Sequence, residues 1–123
     1  MKLIAKILVA IVALEHAGFL VLEMFLWTTP YGLRTFGTTP EFANASSALA
    51  ANQGLYNGFL AAGLVWSLVS RANWKAIAIF FLGCVVVAGV FGAATAKPSI
   101  FFVQALPAIV ALLVVLFTRP STS

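Results

Sequence analysis

Three ionisable residues, Glu15, His16 and Glu23, lie inside a strongly apolar N-terminal run, and four polar ones, Asn52, Gln53, Tyr56 and Asn57, cluster inside a second. A carboxyl placed in hydrocarbon costs about 2.5 to 3.5 kcal/mol on insertion scales, so such groups face protein and either bond one another or bind protons, ions and polar ligands. Helical spacing puts His16, Phe19, Leu20, Glu23 and Trp27 on one face, with Glu15 about one hundred degrees round at its edge. In the second run Asn52 stacks on Tyr56, and Gln53 on Asn57 beside them. Counting depth at about 1.5 Å per residue brings Glu23 level with Asn52 or Gln53, and Asn57 towards Phe19 and His16. Gln104, in a later apolar run, falls in the same outer half. The expectation is an outward-opening polar pocket between the first, second and fourth runs. Glu15 forms its floor and titrates protons, while His16, Glu23, Asn52, Gln53, Tyr56, Asn57 and Gln104 supply ligand contacts. The competing expectation is that these groups only hydrogen-bond helices to one another.

Other chemistries find little support. Cys84 is the single cysteine and His16 the single histidine, so no metal-ligand spacing exists. No nucleophile has a base at useful spacing, and no glycine-rich phosphate loop is present. The sequence therefore predicts no enzyme, no catalytic residue, no metal and no cofactor.

The elements that must position these side chains are set by composition. Of the 123 residues, 63% are apolar and 8% charged, with a mean hydropathy of +1.09, where a soluble domain is about 25% charged. The net charge of +4 would suggest nucleic acid in a soluble protein, but the cations sit singly at the ends of apolar runs and form no basic stripe. No nucleic-acid partner is expected. A helix needs about 20 apolar residues to cross the hydrocarbon core. Four runs meet this, at about 3–27, 49–69, 76–96 and 100–118, which predicts an all-α polytopic membrane protein, a four-helix transmembrane bundle in one domain over 1–123. The first run is longer than a signal-peptide core and carries Glu15, His16 and Glu23. An orientation with both termini inside puts Lys2, Lys6, Arg71, Lys75 and Arg119 on the cytoplasmic side, against Arg34 and Lys97 outside.

The outer loop, 28–48, contains Pro30, Gly32, Gly37 and Pro40, which argue against one regular element. Thr39-Pro40-Glu41 has the form of an N-cap, a first-turn proline and a dipole-favoured acid, so a helix is expected to start there. Whether it continues into the second span or breaks near Ser46 and Ser47 stays open. Gly54 and Gly58, four apart, allow close helix approach, either within the chain or to another copy. The third span has Gly83, Gly89 and Gly92 but no ionisable residue, which makes it packing or lipid-facing structure, and Pro107 is expected to kink the fourth near Gln104.

The string Asn52-Gln53-Gly54-Leu55-Tyr56-Asn57-Gly58, with Leu14-Glu15-His16 and Glu23-Met24 upstream, resembles the domain of unknown function 1304 family of small bacterial membrane proteins. The resemblance spans essentially the whole chain. It implies a four-span protein of the bacterial cytoplasmic (inner) membrane and supplies neither a substrate nor a catalytic residue. The expected function is binding or transport of a small molecule through the outer pocket; the alternative is a structural or accessory membrane protein. The expected partners are the lipid bilayer, an unknown small molecule and a second or further copy of the chain.

Overall fold

The computed structural model describes residues 1–119, all helical or in connecting turns, with no strand among them. The order is α1 (Lys2–Met24), α2 (Pro30–Phe36), α3 (Pro40–Val69), α4 (Trp74–Thr95), a π-helical turn (Phe101–Ala105) and α5 (Leu106–Phe117). α1 and α4 are long and apolar enough to cross a membrane. α3 is longer, but polar residues dilute its first half. Phe101–Phe117 is a shorter apolar helix, to which the helical Ser99 and Ile100 lead.

The chain divides into two compact units. One, Leu14–Ala61, is a helix hairpin in which the end of α1 returns antiparallel along the start of α3, with α2 between them. Gly54 and Gly58 of α3 face α1, and a side chain at Gly54 would meet Met24 Cγ at 2.7 Å, Glu23 Cβ at 3.1 Å and the Leu20 carbonyl at 3.3 Å. Both glycines thus serve packing within the chain, which answers the alternative left open by their spacing.

The connection 28–48 is more regular than its prolines and glycines suggest. Thr29 caps α2 by accepting a hydrogen bond from the Gly32 amide at 3.2 Å, Pro30 occupies the first helical position, and Gly37 closes the helix with φ +65°, in the left-handed region. These are the signals that mark the start of α3, repeated ten residues earlier. The α3 start is as expected, with Thr39 Oγ1 accepting from the Phe42 amide at 3.2 Å. The helix then runs unbroken past Ser46 and Ser47 to Val69. Thr39→Ala should cost about 1 kcal/mol by removing this cap. The loss would appear as faster amide exchange over 40–44, with the rest of α3 unchanged.

The other unit comprises Met1–Ala13 and the chain from Ala62 onward. Its core is a second antiparallel pair, α4 against the π-helical turn and α5. Pro107 has no amide hydrogen for the helix ladder, and the chain meets it with a wider turn, in which the Leu106 amide reaches the Phe101 carbonyl five residues back. The expected irregularity is there, as a π-helical turn ahead of Pro107. At one end of this pair Lys75 Nζ donates to the carbonyls of Leu116 (3.2 Å) and Thr118, closing the C-terminal end of α5 where a cation also suits the helix dipole. Beside it the ammonium groups of Lys2 and Lys6 lie 5.7 and 5.5 Å from the centroid of the buried Trp74 ring.

Candidate functional site

In the unit formed by Leu14–Ala61, the last turns of α1 and the middle of α3 bring one predicted pair together. Asn57 Nδ2 donates to Glu23 Oε1 at 2.5 Å, and both residues are 8% exposed. The contact depends on the glycines beside it, because Gly54 lets the α3 backbone come within van der Waals reach of Glu23 Cβ. A side-chain amide giving a hydrogen to a carboxyl oxygen away from solvent ties the two helices together.

About two turns deeper along α1, His16 is wholly buried, its ring edge-on to Phe19 at 5.2 Å. Glu15 is half-buried, with Oε1 3.9 Å from His16 Nδ1. That oxygen is inaccessible and makes no hydrogen bond among the described residues. Adjacent residues on a helix diverge, so Glu15 and His16 approach only at their tips.

Within this unit, Asn52, Gln53 and Tyr56 make no hydrogen bond to this pair. Asn52 and Tyr56 are exposed on the side of α3 away from Gly54 and Asn57, and Gln53, one turn before Asn57, is exposed beside that face. Gln104 is half-buried in the π-helical turn and belongs to the other unit. The site assembled within one unit is therefore Glu23 with Asn57, flanked along α1 by Glu15 and His16.

Two contacts were not anticipated. Trp27, just past α1, packs on Phe36 of α2 at 4.8 Å between ring centroids. Its indole N–H donates to Ser46 Oγ at 3.1 Å, and that hydroxyl donates in turn to the Phe42 carbonyl at 2.7 Å. The sequence signals were Trp27 at the end of an apolar run and Ser46 one helical turn past Phe42, but nothing in either indicates the pairing across nineteen residues. Elsewhere, α4 carries a shallow apolar groove lined by Phe80, Gly83, Cys84, Val87, Ala88 and Phe91, which contains no acid or base. Among the described residues no group of three or more His, Cys, Asp or Glu is placed to hold a metal.

Comparison with known proteins adds a family and no activity. No solved structure matches the chain. The chain is 30% identical over 115 residues to "Uncharacterized protein YpaA" of Lactococcus lactis subsp. lactis (strain IL1403), an alignment that covers 92% of this chain and 97% of that protein. Residues 10–116, which hold every residue of the Glu23–Asn57 site and the turns that position it, match the model described as "Protein of unknown function (DUF1304)", and the chain belongs to that family.

Proposed function

We propose that the chain is a four-span protein of the bacterial inner membrane that serves as a structural or accessory subunit, its intramembrane polar groups holding helices together. The observation that carries this reading is the buried Glu23–Asn57 hydrogen bond. A buried pair joined by a direct side-chain hydrogen bond has the geometry of a helix lock, whereas a ligand site would leave these groups open towards a cavity.

Several features support the membrane placement. The outside is greasier than the inside: Leu3, Leu14, Phe25, Val69, Phe91 and Phe117 are about 70% exposed, while the core is mostly alanine and valine. A soluble protein shows the reverse pattern. The helix through Ser99–Phe117, at about 1.5 Å per residue, approaches the thickness of the hydrocarbon core, and α3 exceeds it. Three of the five cations assigned to the cytoplasmic side, Lys2, Lys6 and Lys75, meet at one end of a single unit around Trp74 and the end of α5. That convergence supports termini on the inside.

A second reading is favoured by Glu15, whose buried oxygen lacks a hydrogen bond. There the carboxyl exchanges a proton for a polar or cationic small molecule. Native mass spectrometry of the protein released from nanodiscs, wild type beside Glu15→Gln, separates the two. The structural reading expects protein and ordinary lipid in both samples, with thermal stability equal within about 0.5 kcal/mol, since Glu15 Oε1 has no bond to lose. A non-lipid ligand present in the wild type and lost in Glu15→Gln would overturn it in favour of binding.

A further inference from the structure

The side of α3 turned away from α1 carries Ala45, Leu49, Asn52, Tyr56 and Phe59, all exposed, Leu49 by 75% and Tyr56 and Phe59 by 57% each. Their spacing alternates four, three, four, three, the 3.5-residue repeat of a helix that packs lengthwise against another. The series ends at Phe59, because the next position, Gly63, is closed by the ring of Phe81. Among the described residues neither the Asn52 amide nor the Tyr56 hydroxyl has a hydrogen-bond partner. The observed pairing of Trp27 with Ser46 marks a level typical of a membrane interface. From Ser46, Asn52 lies about 9 Å and Tyr56 about 15 Å further along the helix, inside the hydrocarbon of a four-span arrangement. Lipid offers these groups no donor or acceptor.

We infer that this face binds a second copy of the same chain, α3 against α3, with Asn52 meeting Asn52 across a two-fold axis. The inference rests on the transmembrane placement proposed above. Two copies inserted the same way are related by an axis along the membrane normal, so their α3 helices run parallel and each residue faces its own equivalent. A carboxamide carries both donors and an acceptor, so two asparagines satisfy each other, and one asparagine in an otherwise apolar seam fixes register. Leu49, Tyr56 and Phe59 supply the apolar contact on either side. The glycine face is not available for this role, since Gly54 and Gly58 are filled by Leu20, Glu23 and Met24 of the same chain.

The test is disulfide cross-linking of the full chain in native membrane vesicles, with Cys84→Ser as background. A carbonate wash first establishes that the protein is integral, so that failure of the membrane placement is seen separately from failure of the seam. Asn52→Cys and Ala45→Cys are expected to give covalent dimers under mild oxidation. Ala50→Cys, on the buried side, and Leu55→Cys, exposed but off the seam, are expected to stay monomeric. Asn52→Ala, at an exposed position that leaves the fold intact, should raise the dimer dissociation constant in detergent about 3- to 10-fold. An integral protein with no dimer from Asn52→Cys or Ala45→Cys, stronger cross-linking from Leu55→Cys, or a cross-link from Asn52→Cys only to a different protein would each overturn the inference.

Discussion

Replacing Gly89 with alanine should destabilise the protein by about 2 to 3 kcal/mol, the range for overpacking a contact that cannot yield. The same change at Gly83, six residues earlier on the same helix, should be neutral or stabilising by up to about 1 kcal/mol. A methyl group at Gly89 would stand 2.7 Å from the Ala105 backbone nitrogen and 2.9 Å from its Cα, whereas one at Gly83 would have nothing within 4 Å. The obstacle at Gly89 is backbone, and backbone of the π-helical turn that absorbs Pro107, so relief requires α4 and that turn to separate. At Gly83 the only consequence is the loss of glycine's conformational freedom in the unfolded chain. Equilibrium unfolding of both variants in the same mild detergent measures the contrast. Equal losses at the two positions would mean that α4 does not lie against Ala105 in this way.

These two glycines also show what could be learned from the sequence and what could not. The lack of any ionisable residue in the third span points to a packing or lipid-facing helix, but a glycine in contact and a glycine in open space look alike until the partner is known. Thr39-Pro40-Glu41 was legible because a cap is decided by neighbours within one turn. Thr29-Pro30 and Gly37 carried the same local signals around α2, yet four helix-breaking residues in a row of connections weighed more than the order in which they stood. Proline at the start and glycine at the stop are the signals that decide α2.

Candidate site residues divide along a similar line. Helical phase alone put Glu23 and Asn57 each on a definite face, and the short step of the Gly54–Gly58 pair indicated which face of α3 another helix could approach closely. Phase alone also separated Asn52 and Tyr56 from that face by more than a third of a turn. Polarity alone groups them with Asn57, because polar residues within apolar spans are expected to face one pocket. Polar residues on opposite sides of one helix instead serve two neighbours: α1 of the same chain for Asn57 and, by the inference above, a second copy for Asn52. Gln104 could be placed by depth along its segment but not by neighbours, since depth says nothing of which helices are adjacent.

The Glu23–Asn57 bond yields the second large effect, and its sign pattern identifies what the pair is for. Asn57→Leu removes the donor and leaves a carboxyl oxygen buried without this partner, which should cost about 1 to 3 kcal/mol. Glu23→Leu leaves the Asn57 amide in the same position and should cost about as much. The double variant Glu23→Leu/Asn57→Leu removes both polar groups together, so nothing buried is left unmatched, and it should be more stable than either single variant. A coupling energy of about 1 kcal/mol or more, measured by unfolding all four proteins in one detergent, is the expected signature of a helix lock. If the pair instead had to stay open to a polar ligand, the double variant would lose binding while its stability changed by the simple sum of the two single effects. Glu23→Gln sharpens the comparison, because its carboxamide keeps an oxygen that accepts from Asn57 Nδ2 while removing any negative charge. A lock made by the hydrogen bond should survive that change with less than about 1 kcal/mol lost, and a function that needs the carboxyl should not.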